Sequence, residues 1–508
     1  MNSRRWAVGA AGTAVLLGAL DTYVVVGVLS DVIRDLGIPV NHLERATPIV
    51  TGYLLGYVAA MPLLGQLSDR FGRRLVLQLC LVAFAVGSVL TAEAGSVPAL
   101  VAGRLLQGAS GGALLPVTIA LTGALWPGPG RSTALGTVGA AQELGSVLGT
   151  LYGVAVASVF NAWQLFRSLQ PQSWRWIFWI NLPFTLIVMT LVHFAVPAGR
   201  PAAGARQRMD LVGGGLLAIS LGVLIAGLYN PDPEHSVLPP WGLLFIGVAG
   251  VVFVAFVWWE RRATVRLIDP GGGSLRAILG VVLTSLLAGS ALMVTLVDVE
   301  LFAQTLLRRT SQGAAVLLVP FLLGLPIGAL LGGWGSRRQK EPLVACAGML
   351  VAAAGYLLIS GWPVSVLGTR HWGLLPVLPT DLAIAGIGLG LVIAPLSAAM
   401  LHVVPAAQHA TGSAMVVVAR MTGMLIGIAA LTAWGLHRFR VFTATLNTPL
   451  PFGVPPKIFT AQFAQYQIAV DAALHSEYSE IFLLTAAICL TGAAASLLPI
   501  KSRTQVLQ

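Results

Sequence analysis

The sequence predicts an all-α polytopic membrane protein with 14 transmembrane helices in a 6+2+6 arrangement. Three observations predict it. Hydrophobic residues make up 56% of the chain and charged residues only 10%, where a soluble domain carries about 25% charged residues. The 508 residues fall into successive apolar runs, most of them near the ~20 residues that cross a ~30 Å hydrocarbon core. Finally, segments of the first half recur, in degenerate form, in the second half.

The composition sets aside soluble enzymes and nucleic-acid binders. Lys+Arg (30) exceed Asp+Glu (19), a net charge of +11. The basic residues concentrate in alternate loops, so the excess reports topology. Cys80, Cys346 and Cys489 all lie in apolar runs and read as packing residues without a disulfide framework.

Taken in order, spans are expected at 7–29, 47–64, 75–94, 98–124, 133–158 and 174–196. Two more follow at 210–229 and 241–259, then six at 277–301, 313–334, 343–361, 381–403, 411–437 and 479–499. The first run is too long for a signal-peptide core and contains Asp21, so it reads as a retained helix. With the N-terminus inside, the inner loops hold twice as many Lys and Arg as the outer ones. Both termini are therefore expected on the cytoplasmic side.

The repeat sets the domain plan. Pro62 with Arg73 and Arg74 recurs as Pro326 with Arg337 and Arg338. Ser110-Gly-Gly-Ala-Leu-Leu-Pro116 recurs as Leu389-Gly-Leu-Val-Ile-Ala-Pro395, and Gly145-x-x-x-Gly149 as Gly423-x-x-x-Gly427. The offsets exceed the length of six spans, so two helices are inserted between the halves. The expected units are 1–197, a two-helix linker at 198–275, and 276–508. Repeated six-helix halves are a transporter plan.

Charges inside spans need a reason, because each costs at least ~2.5–3.5 kcal/mol at the bilayer centre. Asp21 and Arg104 fall at similar depth on antiparallel spans. Protonating an aspartate would release its arginine, which suits proton coupling; the alternative is a permanent structural pair. Glu143 and Arg420 fall at similar depth in opposite halves. They either pair across the halves as a gate or find separate partners within each half. Asp298 and Glu300 lie at the outer end of their expected span and read as interfacial. His402 reads as a packing residue.

The end of the chain is too long for ordinary spans. No proline interrupts 411–446 or 457–498, and Pro449, Pro451, Pro455 and Pro456 crowd the turn between them. Continuous helices there would be about 54 and 60 Å long. The expectation is a periplasmic helical hairpin at about 438–478 carrying Phe439, Phe442, Leu446, Phe452, Phe459, Phe463 and Tyr466. A loop with a short surface helix is the alternative.

No other chemistry competes. None of the three lysines follows a glycine, so no Walker A loop exists, and the histidines form no HExxH pair. A membrane-embedded lipid enzyme remains the rival class.

The loop between the second and third spans reads Gly65-Gln-Leu-Ser-Asp69-Arg70-Phe-Gly72-Arg73-Arg74. It resembles the gating loop of the major facilitator superfamily at every defined position of G-x-L-x-D-R-x-G-R-[RK]. Leu20-Asp21-Thr22, Arg104-Leu-Leu-Gln107-Gly108 and Trp174-Arg175-Trp176-Ile-Phe-Trp-Ile-Asn181-Leu-Pro183 resemble its fourteen-helix drug:proton antiporter branch. Gly145, Gly149 and Gly153 resemble that branch's helix 5 motif, with Thr150 where proline is usual. In the second half Gly333 stands at the repeat position of Asp69, and Ala383 at that of Arg104.

Further stretches are similar to triacylglyceride-exporting members of the branch. They are Leu16–Val26, Ala141–Gly149, Leu292–Phe302 and Val418–Gly427. The resemblance implies a monomeric exporter driven by the proton gradient, without a cofactor. It also implies neutral lipid as cargo, drugs as secondary or alternative substrates, and a periplasmic lipid-carrier lipoprotein as partner.

Overall fold

The computed structural model describes residues 2–25, 28–37, 47–126, 128, 130–162, 173–198, 210–228, 238–263, 266, 274–444, 446–449 and 455–498. The chain is helical almost throughout. The first six long helices are α1 (Asn2–Val24), α3 (Thr47–Phe71), α4 (Arg73–Ala92), α5 (Val97–Leu125), α6 (Arg131–Ala162) and α7 (Trp176–Ala195). The short α2 (Leu29–Asp35) follows α1. Two middle helices come next, α8 (Leu211–Leu228) and α9 (Gly242–Arg262). The second set is α10 (Leu275–Thr305), the short α11 (Ser311–Leu317), α12 (Val319–Gly335), α13 (Glu341–Ser360), α14 (Val377–Val403), α15 (His409–Thr443) and α16 (Pro456–Ser496). Among the described residues, 11 helices are long and apolar enough to cross a membrane. Their backbone hydrogen bonds are internal, as lipid requires.

The packing repeats between the halves. Helix α1 lies against α6 as α10 lies against α15, and α5 is flanked by α3 and α4 as α14 is by α12 and α13. Without side chains, glycines let these pairs approach closely. A Cβ on Gly149 would meet the Leu20 carbonyl oxygen at 2.4 Å. The prolines at 62, 116, 326 and 395 lie inside helices at matching places in the two halves. Helices α8 and α9 pack on each other, and α8 packs on α3. Ser220 Oγ donates to the Ala249 carbonyl between them (3.0 Å).

Two features go beyond the sequence reading. A small antiparallel hairpin, β1 (Arg370–His371) and β2 (Leu375–Pro376), joins α13 to α14. Trp372 and Gly373 turn it with φ of 49° and 74°, the positive values that tight hairpin turns demand. Asp298, expected at the outer end of its span, is 4% exposed and packed inside the helix bundle. Helix α10 runs on to Thr305, so position 298 still faces packed neighbours.

Helices α15 and α16 contain 35 and 41 residues, about 52 and 61 Å at 1.5 Å per residue. They meet where Arg438 donates from Nε and Nη2 to the two carboxylate oxygens of Glu480, both at 2.6 Å. Beyond that point residues 456–468 are mostly exposed.

Candidate functional site

Arg104 on α5 and Asp21 on α1 are 1% and 0% exposed. Arg104 Nη1 donates to Asp21 Oδ2 at 2.6 Å, and Nη2 to the Asp21 backbone carbonyl at 3.2 Å. The sequence reading missed the rest of the shell. Asn181 of α7 donates to Asp21 Oδ1 at 2.9 Å. Gln107 Oε1 accepts from Arg104 at 3.3 Å, while Gln107 Nε2 donates to Ser88. The Tyr53 ring lies 4.3 Å from the guanidinium carbon, within cation–π range. Asn181 and Gln107 stand inside the quoted motifs, which is the signal that would have found them.

The helix 5 motif builds the wall beside this pair. A Cβ on Gly145 would meet the Leu16 carbonyl oxygen at 2.6 Å, and Gly149 packs on Leu20 next to Asp21. Helix α6 continues through Thr150 and Gly153 without a break; the surroundings of Gly153 lie outside the described residues.

Glu143 and Arg420 meet across the halves: Arg420 Nη2 donates to Glu143 Oε1 at 2.5 Å. Glu143 is almost wholly buried and Arg420 partly so. Arg420 also lines a narrow central cavity of about 40 Å³. Apart from Gln142, Ser285, Ser397 and Arg420, its walls are apolar, with Leu292, Leu389 and Val417 among them.

At the basic end of the bundle, Asp69 reaches the other half. Its Oδ1 accepts from Ala410 N and its Oδ2 from Thr411 N and Thr411 Oγ1, each at 3.1 Å. These donors open α15, so the carboxylate satisfies orphan N–H groups and faces the positive helix end. Gly65 lies under the same turn, where a Cβ would be 3.1 Å from the Ala410 oxygen. Gly72 opens α4 with φ 99°. Asp69 lies beyond the apolar stretch of α3, and burial raises its carboxyl to about 6. The two hydrogen-bonding backbone groups and Arg73 oppose that rise. Arg70 is exposed and stacks its guanidinium 5.2 Å from the Phe71 ring; Arg74 is half-buried.

A wider crevice of about 650 Å³ opens at this end between α1 and α6. Arg5 and Arg337 line it together with Val8, Gly12, Leu16 and Val138.

The hairpin residues divide. Phe459, Phe463 and Tyr466 form a row along α16, with neighbouring rings 5.9 and 6.5 Å apart. Phe439 and Phe442 lie on α15, with Arg438 over the Phe442 ring. Leu446 follows α15, and Phe452 lies outside the described residues. His402 is exposed and faces Glu341 at 3.5 Å, which corrects its reading as a packing residue. No group of three or more His, Cys, Asp or Glu residues able to hold a metal occurs among the described residues.

Comparison with known proteins follows the same lines. The profile of the Major Facilitator Superfamily matches residues 11–428. A triacylglyceride transporter of Mycolicibacterium smegmatis is 51% identical over 506 residues, covering 98% of this chain and 87% of that protein. A triacylglyceride transporter of Mycobacterium tuberculosis (strain H37Rv) is 52% identical over 503 residues, covering 97% and 94%. Among solved structures, the proton:xylose symporter XylE aligns with a TM-score of 0.57 at 17% identity, covering 96% of this chain and 95% of that one. The human organic anion transporter MFSD10 aligns at 0.56, also at 17% identity, covering 96% and 99%. At such identities the structural likeness speaks for the fold.

Proposed function

Because the chain belongs to the major facilitator superfamily, a family of multi-pass transporters and not of enzymes, we propose that it exports triacylglyceride from the inner membrane by proton-coupled alternating access. The observation that carries the cargo is identity above 50% to proteins named triacylglyceride transporters, over nearly the whole chain. At about 40 Å³ the central cavity is too small to hold such a cargo as it stands, so only the largely apolar character of its walls bears on the reading. A 6+2+6 chain of 14 spans, with units at 1–197, 198–275 and 276–508 and both termini cytoplasmic, puts the Asp69 end inside. The α15–α16 hairpin then projects into the periplasm and passes lipid to a carrier lipoprotein. The protein works as a monomer.

The proton gradient is the energy source in this reading, and no cofactor takes part. Asp21 is the coupling carboxyl: protonation removes its charge from Arg104 and frees the arginine to change partners. Asp69 and the Glu143–Arg420 pair hold the inner side closed, and breaking both opens it. The polar quartet in the cavity favours a second reading, a drug:proton antiporter.

Lipid and drug transport measured side by side in proteoliposomes under an imposed pH gradient tests both readings. Gradient-driven triacylglyceride movement that Asp21→Asn abolishes is the expected result. Saturable drug antiport without lipid movement selects the second reading, and gradient-independent lipid transport removes the coupling.

A further inference from the structure

The second half contains a buried acid that the reading above does not use. Asp298 on α10 is 4% exposed, and its Oδ2 is buried without a hydrogen-bond donor. Another acid, Glu477 of α16, comes to the same seam: Val294, one turn before Asp298, packs with Leu431 and Ile481, and Ile481 lies one turn beyond Glu477. Glu477 reaches across the seam between α15 and α16, where a Cβ on Gly435 would lie 2.5 Å from Glu477 Oε1. A glycine at 435 therefore makes room for the carboxyl of the half-buried Glu477.

The charged groups on the neighbouring elements are engaged elsewhere. On α15, Arg438 is taken up by Glu480 through two hydrogen bonds. Arg308, just after α10, is taken up by Asp471 at 2.9 and 3.0 Å. On α10 itself, Glu300 accepts from Gln304. On α14, Asp381 is held by Trp362 and His371 at 2.8 and 2.7 Å. His475 of α16 bonds the Trp362 carbonyl. The hydroxyls of Tyr356 and Tyr478 meet Thr295 and Thr305 respectively. The walls are aromatic: Phe302, one turn beyond Asp298, packs on Trp362 and Tyr478 with centroids 5.7 Å away in each case.

A buried carboxylate oxygen without a donor is costly to keep charged, and a second acid on the neighbouring helix adds to that cost. No cation among the described residues forms an ion pair with either acid. We propose that Asp298 and Glu477 together hold one exchangeable proton, forming a second protonation site in the half that lacks an Asp21–Arg104 pair. The reaction is a simple proton exchange: the shared proton leaves to water and returns, with no bond other than O–H made or broken. Its place is the seam from which α15 and α16 leave the bundle, so its charge state bears on how the two helices pack there. That the site takes part in transport rests on the proton-coupled reading; that it holds a proton does not.

The test therefore needs no transported substrate. Infrared difference spectra of the full-length protein in nanodiscs, taken between acid and alkaline pH, read protonated carboxyl groups directly. The expected result is a titrating carboxyl band that D298N removes. E477Q should leave a carboxyl band but move its disappearance to lower pH, by about 1 unit or more for a coupled pair. D21N should leave this band in place. If D298N does not fold, the shift in E477Q decides alone. A spectrum whose titrating band is the same in the native protein, D298N and E477Q overturns the proposal. So does thermal stability that depends on sodium or calcium and loses that dependence in D298N, which would make the pair a cation site. In proteoliposomes, a D298N variant with the infrared change but the native pH profile of transport would keep the proton site and remove it from the coupling.

Discussion

The two halves meet at the basic end along two seams that are related by the repeat and built in opposite ways. In one, Asp69 of α3 caps the start of α15 with three hydrogen bonds. In the other, the equivalent position is Gly333 of α12, and the helices simply touch: a Cβ there would lie 2.6 Å from the Ser132 carbonyl oxygen of α6. Gly136 across the seam is equally tight against Ala329. The polar seam holds through charge and geometry that protonation and movement alter. The glycine seam holds mainly through van der Waals contact, with one hydrogen bond from Thr133 Oγ1 to the Gly333 carbonyl, and it does not tolerate added volume. A duplicated fold thus pairs one seam sensitive to charge with one sensitive to size.

Four measurements break or sharpen that contrast. The largest effect is expected at the tie lying between the seams. Arg420→Ala leaves Glu143 buried and unpaired, which costs about 3–5 kcal/mol in unfolding of the purified protein. The charge-swapped double variant should recover part of that loss, and a cost no greater than a surface substitution would show that the pair is not a tie. Next, Gly333→Leu overfills the dry seam at about 1–3 kcal/mol. A cysteine placed at Thr133, whose hydroxyl donates to the Gly333 carbonyl at 3.3 Å, should then label faster with a water-soluble thiol reagent. Unchanged labelling would mean the seam accommodates the side chain.

Asp69→Ala should cost less, about 0.5–2 kcal/mol as for other helix caps, and its signature is pH. Burial holds this carboxyl at about 6 in the closed seam, against an ordinary 3.8. The conformer with the higher pKa binds the proton more tightly, so acidification through pH 6 favours closure. The gain levels off below about pH 4, where the open form is protonated as well. Labelling of a cysteine at the α3–α15 seam should therefore slow between pH 7 and 5, and Asp69→Asn should flatten that profile. Smallest is the hairpin: removing the exposed ends of α15 after Arg440 and of α16 before residue 469 should change stability by no more than about 0.5 kcal/mol. On the proposed export reading, lipid release should fall; undiminished release would separate the hairpin from export.

The helical fold and the repeat were legible because lipid imposes long apolar runs and the glycine and proline positions recur. The Asp69 loop was legible because its residues are local. The burial of Asp298 was not legible because hydropathy marks only the apolar window, whereas α10 continues as a packed helix past it to Thr305. The partners of Asp21 were hidden for another reason. Asn181 lies 160 residues away in sequence, and spacing alone does not assign a contact between helices. The β1–β2 hairpin escaped because His371-Trp372-Gly373 is a weak turn signal between two strong helix signals.

The length of α16 has a mechanical consequence. A helix of 41 residues is a stiff rod about 61 Å long, roughly twice the ~30 Å hydrocarbon thickness. Held to the bundle as far out as Asp471, which pairs with Arg308, its free part is a lever arm of about 22 Å, counting the 15 residues from 456 to 470. A rigid-body rotation of ~15°, the size seen when subunits switch state, would sweep the tip through about 6 Å. On the proposed alternating-access reading, a small change at the seam becomes a larger displacement at the tip.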